Sequence, residues 1–120
     1  MTDPDASVRR GEIHWVDWNP SRGSEQTGRR PGLIVQNDPF NSNPNYPLTI
    51  MVAVSTIGRN VPTHVRVEPN SRNGLKAISY IKCEQIVTVS LDRLDGYIGT
   101  LEETEMVRID RALKRVLSLS

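Results

Sequence analysis

Three arginines and one glutamate crowd a short polar stretch, NPSRGSEQTGRRPGLIVQND, which runs from Asn19 to Asp38. Arg22, Glu25, Arg29 and Arg30 precede the apolar run that opens at Pro31. Such residues suit chemistry on a phosphodiester. Arginine offers a planar fork matched to phosphate oxygens and keeps its charge at any physiological pH. A carboxylate can accept the proton of an attacking hydroxyl, and a threonine hydroxyl can donate to the same oxygens. The same residues also fit an exposed loop with a surface ion pair, worth at most about 1 kcal/mol. The formal net charge is only +1, so a site for a polyanion has to be a local concentration of arginine.

The elements that would hold these groups follow from patterning. EIHWVDW after Gly11 is rich in strand formers and stops at Asn19-Pro20. PGLIVQND reads as a second strand, and the connection PFNSNPNYP, with its prolines and asparagines, as a turn-rich segment. LTIMVAVST is nearly continuous in apolar residues, as expected of a central strand. THVRVEP alternates, and AISYIKCEQIVTVS supplies one or two strands with a bend expected near Cys83-Glu84. LDRL at 91–94 suggests a short helical turn. Met106, Ile109, Leu113 and Val116 recur at helical spacing, with early glutamates and late basic residues that complement the helix dipole. Thr100 and Glu103 have the spacing of a capping box at its start.

Short strands followed by one helix predict an α+β domain, mainly β, with a small twisted or barrel-like sheet and the helix packed on it. The 120 residues suit one domain, taken as 9–120 behind a flexible tail over 1–8. One cysteine, Cys83, excludes an intrachain disulfide and any multi-cysteine metal site. No secretory signal or membrane-length apolar run is evident, so a cytoplasmic protein is expected.

Strands two and three are consecutive and their connection is too short for a crossover helix, so antiparallel pairing is expected. The start of one then lies opposite the end of the other, which brings Arg30 and Thr56 to one rim. Glu25 from the preceding loop is a candidate third member.

The stretch from Arg10 to Asp38, with its GSEQ and RP signatures, resembles the opening of the MazF/PemK family of toxin endoribonucleases. The likeness continues through VAVST, PTHV at 62–65, CEQIVTVSLDRL at 83–94 and the closing helix. It implies a small SH3-like antiparallel barrel, a homodimer, and cleavage of single-stranded RNA without metal or other cofactor. In that chemistry the RNA's own 2′-hydroxyl attacks the adjacent phosphate, leaving a 2′,3′-cyclic phosphate and a 5′-hydroxyl. The resemblance assigns catalysis to Arg30 and Thr56, with Glu25 important in some members. It places Ser24, Gln26, Arg29, Asn37 and Gln85 along the RNA groove, and it implies a MazE-like antitoxin as protein partner. Val87, Ser90 and His14 depart from the usual pattern, which bears on substrate sequence rather than reaction class. The alternative is a CcdB-like toxin that binds a protein on the same fold without cleaving RNA; its C-terminal tryptophan segment has no counterpart in KRVLSLS.

Other reactive residues read as structural. His14 and His64 lie in strands, and Cys83 has no evident activating neighbour. Trp15 and Trp18 have opposite parity along a strand, so both cannot face one core, and at least one is expected to pack. Asn37 and Gln85 suit base-edge contacts and strand-end capping equally.

Overall fold

A computed structural model describes residues 7–18 and 28–120. Six antiparallel strands form one sheet in the order β4-β5-β3-β2-β1-β6. They are β1 (Glu12–Asp17), β2 (Arg29–Ile34), β3 (Leu48–Ser55), β4 (His64–Val67), β5 (Ser79–Ser90) and β6 (Leu94–Thr100). One helical turn, α1 (Asp38–Asn41), lies between β2 and β3, and α2 (Glu103–Leu117) closes the chain. The apolar run of β3 sits inside the sheet between β5 and β2, where both faces are covered.

The main core lies between the sheet and α2. Ile13, Leu33, Val52, Val54, Ile81 and Cys83 pack there against Ile109 and Ala112. Met106, Leu113 and Val116 complete the helix stripe, so the helical spacing serves packing. A second cluster on the other face gathers Val16, Trp18, Ile34, Met51 and Val89, with Val8 and Leu94 at its margin. Of the segment expected as a tail, residues 1–6 lie outside the described residues.

Of three expectations, the helix cap and the closed barrel need adjustment, and the bend in β5 holds. The helix cap is Glu102 rather than Thr100: Glu105 accepts the backbone N–H of Glu102 at 3.0 Å. Thr100 is the last residue of β6 and gives its N–H to Arg72 O at 3.0 Å. Its backbone donor is therefore committed to the sheet edge before the helix begins. Second, β5 is a single strand, and its bend is a bulge. Val52 pairs with Ile86 but Ala53 with Lys82, so Cys83, Glu84 and Gln85 are extra to the β3 ladder.

Third, the barrel is not closed by strand pairing, because β4 and β6 are the two edges of the sheet. The turn after β4 bridges the gap instead. Asn73 is fully buried and its side chain braces that turn, accepting from the N–H groups of Asn70 and Leu75 and donating to Glu68 O. The turn presses on β6 so closely that a Cβ on Gly99 would stand 2.2 Å from the Asn73 carbonyl carbon. Gly99→Ala must therefore push backbone from backbone, and should cost roughly 1–3 kcal/mol in urea unfolding, the range for overpacked sites. An unfolding midpoint equal to that of the unmodified protein would show that this contact does not hold the sheet's edges together.

Candidate active site at the rim of β2 and β3

The β2–β3 ladder pairs Ile34 with Met51, Leu33 with Val52 and Gly32 with Ala53. It ends one residue short of Pro31, which has no N–H to give. Continuing that register sets Arg30 level with Ser55, and Arg29 level with Thr56. The two strands thus deliver both arginines and both hydroxyls to one rim, as antiparallel pairing requires. Arg30 and Thr56 are exposed there. Strand alternation gives Arg30 the face of Ser55, whereas Thr56 lies just past β3, in a bend.

Each side of the rim is braced. The Trp18 indole Nε1–H donates to Arg30 O at 3.1 Å and so fixes the backbone beneath the guanidinium. Gly32 makes room for this ring: a Cβ there would lie 3.0 Å from Trp18 Cζ2 and from Met51 Cε. Trp18 is thus the packing tryptophan. Beyond Thr56, Ile57 N–H donates to Ser55 Oγ at 3.0 Å, and Gly58 lies directly against the Tyr80 ring.

His64 then ties this loop to the β5 bulge. Its Nδ1 accepts Arg59 N–H at 3.0 Å, which leaves the proton on Nε2 to meet Glu84 Oε2 at 2.7 Å. Both ring nitrogens are engaged, so the imidazole is a strut. His14 is similarly held, with Nε2 2.9 Å from Glu12 Oε1 and its ring edge-on to Tyr97. Cys83 is fully buried, and its thiol is pushed up to about 12 by burial and the adjacent Glu84 charge. It is inert as a nucleophile at neutral pH.

The remaining sequence candidates divide. Arg29 is exposed and bridges to Asp95, with Nε 2.7 Å from Oδ2. Its guanidinium lies 4.3 Å from the centre of the Trp15 ring. Asn37 caps α1, accepting Phe40 N–H at 3.0 Å. Gln85 lies half-buried on the β5 bulge, which opens opposite Val52 and Ala53 of β3. Ser24, Glu25 and Gln26 lie outside the described residues, as does Arg22. Among the described residues no three His, Cys, Asp or Glu side chains gather as a metal site would need. Nor is any helix among them long and apolar enough to cross a membrane.

Residues 9–117 match the family model for the PemK-like, MazF-like toxin of type II toxin–antitoxin systems. The chain belongs to the PemK/MazF toxin family. Endoribonuclease MazF of Staphylococcus epidermidis is 40% identical over 116 residues, covering 94% of this chain and 93% of that protein. Endoribonuclease EndoA of Bacillus subtilis (strain 168) is 35% identical over 112 residues, covering 93% of this chain and 96% of that one. Among solved structures, a mycobacterial endoribonuclease in complex with its cognate antitoxin superposes with a TM-score of 0.79 at 28% identity. That match covers 95% of this chain and 98% of the other. The α+β fold read from the MazF-like pattern is thus the family's own.

The strut makes a measurable claim about pH. Burial pushes the Glu84 carboxyl up, but hydrogen bonds from His64, its own backbone N–H and Thr63 outweigh it, so its pKa falls below the usual 4.5. A depressed carboxylate contributes stability above its unfolded value and loses it as pH falls through the folded value. Unfolding midpoints of the unmodified protein and of Glu84→Gln should therefore differ at pH 7 and converge toward pH 3. A gap of the same size at both pH values would contradict the pairing.

Proposed function

We infer that this protein is an endoribonuclease, the toxin of a type II toxin–antitoxin pair, and that it cuts single-stranded RNA at the β2–β3 rim. What supports the reading is that β2 and β3 end at one rim with Arg30, Ser55 and Thr56 just beyond their last pair, in a chain belonging to a toxin family with endoribonuclease relatives. Arg30 holds the phosphate oxygens on which charge develops, and the Thr56 hydroxyl donates a further hydrogen bond. The substrate's 2′-hydroxyl attacks phosphorus, its proton leaves to a base, the bond to the 5′-oxygen breaks, and that oxygen takes up a proton. The products are a 2′,3′-cyclic phosphate and a 5′-hydroxyl.

Glu25 is the candidate for the base, because an ionised arginine is a poor proton acceptor at neutral pH. Ser24, Gln26, Arg29, Asn37 and Gln85 complete the proposed RNA groove around the pair. A homodimer is part of this reading. So is a MazE-like antitoxin, whose acidic segment would compete with RNA for the arginines at the rim. The mycobacterial relative bound to its cognate antitoxin supports such a partner here.

Purified protein should cut a long RNA in EDTA and leave cyclic phosphate ends. A 2′-deoxy sugar at the cut position should abolish cleavage there, since the nucleophile is gone; continued cutting at that position would refute the mechanism.

Substitutions test the roles. Arg30→Lys keeps the charge and loses the fork, so most activity should vanish. Thr56→Val should lose about 10- to 1000-fold in kcat, as for one hydrogen bond made in the transition state. Glu25→Gln should alter the acidic limb of the pH–rate profile if Glu25 is the base, and should leave its form intact if Glu25 only orients Arg30. A folded Arg30→Lys protein that cleaves at the unmodified rate would remove Arg30 from the site.

A further inference from the structure

Arg29, Trp15 and Asp95 form an assembly that phosphate chemistry does not explain. They come from β2, β1 and β6, three adjacent strands. The guanidinium lies over the indole at 4.3 Å, while its Nε and Nη2 donate to Asp95 Oδ2 at 2.7 Å and Asp95 O at 3.3 Å. The Arg29 side chain is 52% exposed and that of Asp95 65%. As an isolated surface ion pair this would add little to stability. Its charge is also already answered by Asp95, which makes Arg29 a weaker phosphate ligand than an unpaired guanidinium would be. What the assembly does present to solvent is a flat cation, held in one plane before any ligand arrives. Unpaired bases of RNA stack on such guanidinium planes, and prior ordering removes part of the entropy cost of binding.

Its position fits the cleavage rim. Extending the β2–β3 register sets Arg29 level with Thr56, and Arg30 follows it in the chain. The indole beneath it is on β1, one strand spacing of about 4.8 Å farther from β3. Strand alternation puts the Arg29 side chain on the other face from Arg30, so a base stacked on Arg29 lies across the rim from the phosphate and belongs to a nucleotide next to the one that is cut. At Gly96, where φ is +124°, no side chain covers the indole edge, and even a Cβ would lie 3.6 Å from Trp15 Cδ1. The second carboxylate oxygen of Asp95 has no hydrogen bond among the described residues, and it can accept from a base edge beside the stack. Adenine, cytosine and guanine carry an exocyclic amino donor, whereas uracil does not.

We propose that Trp15, Arg29 and Asp95 form a nucleobase subsite beside the cleavage centre, which stacks one unpaired base and favours an amino-bearing base over uracil. The proposal rests on the RNA-cleavage reading for its ligand, and its test is a binding measurement that needs no cleavage. A random octamer library of single-stranded RNA with 2′-fluoro sugars, which lack the nucleophile, would be selected on the protein in EDTA and sequenced. The unmodified protein should deplete uracil at one position, and Asp95→Ala should erase that depletion. Arg29→Lys keeps the charge and loses the plane, and should weaken binding of the selected octamer roughly 5- to 100-fold, as for one stacked base. Circular dichroism would confirm that both variants fold, which their exposure favours. An identical base profile for the unmodified protein and Asp95→Ala would overturn the subsite, as would an Asp95-dependent position that prefers uracil. Separate cleavage assays keep the two ideas apart. RNA cutting with an Asp95-independent profile sinks the subsite alone; an Asp95-dependent profile without cutting sinks the reaction alone.

Discussion

One short ladder holds the two halves of the sheet together. β4, β5 and β3 lie on one side of it and β2, β1 and β6 on the other, joined through Gly32–Ala53, Leu33–Val52 and Ile34–Met51. Two further backbone bonds, from Val35 N–H at 2.9 Å and Gln36 N–H at 3.3 Å, both to Ile50 O, extend it at the closed end. At the open end Pro31 stops it, and the rim begins. Stability and the proposed chemistry therefore meet on the same pair of strands. Leu33 and Val52 face the main core and Ile34 and Met51 the second cluster, while just beyond the last pair Arg30 stays in the β1–β2 ladder and Ser55 in the β3–β5 ladder.

A rim defined by the end of a ladder needs bracing from elsewhere, and each half supplies its own. On the β2 side the bracing is apolar: Trp18 lies across Gly32 and holds the Arg30 carbonyl from inside the second cluster. On the β3 side it is polar and local, through Ser55, His64 and Glu84. Arg10 ties the opposite end, donating from Nε to Val35 O at 2.8 Å while Nη2 pairs with Asp110 of α2. Its backbone N–H also reaches Asp38 Oδ1 at 2.7 Å, at the start of α1. Below it, Gln36, Asn41 and Thr49 share a buried hydrogen-bond network that leaves no side-chain donor or acceptor of theirs orphaned. The connection between β2 and β3 is long because it carries this network.

Much of this was legible in the residues, and the reasons are physical. Strand and helix positions follow from period, because burial on one face imposes it. That Arg30 and Thr56 reach one rim follows from antiparallel geometry and a connection too short for a crossover. What period cannot show is where a donor is spent. Thr100 has the right spacing for a helix cap, yet its N–H belongs to the β6 edge, and Glu102 caps the helix instead. A closed barrel could not be told from an open one because closure depends on a turn, Asn70–Gly74, whose contact with β6 spans the chain. The three-residue bulge at Cys83–Gln85 was visible only as a bend, since extra residues change register without changing composition.

The site shows the same division between what alternation reveals and what it hides. Opposite parity separated Trp15 from Trp18, and the two indoles do different work: one lies in the second cluster, the other under a guanidinium. Yet nothing along the chain marks Asp95 as the partner of Arg29, because the pair is 66 positions apart and joins strands that are not neighbours. Adjacent arginines of like charge thus acquire different environments. Arg29 turns toward β1 and β6, where a carboxylate answers its charge and an indole sets its plane. Arg30 stands at the exposed rim beside the third-strand hydroxyls, its backbone fixed by Trp18. Strand alternation sends the two side chains to opposite faces, and Asp95 draws charge from only one of them. Two identical neighbours in sequence thus come to lie in two different surroundings, one against an indole and a carboxylate and one at the exposed rim.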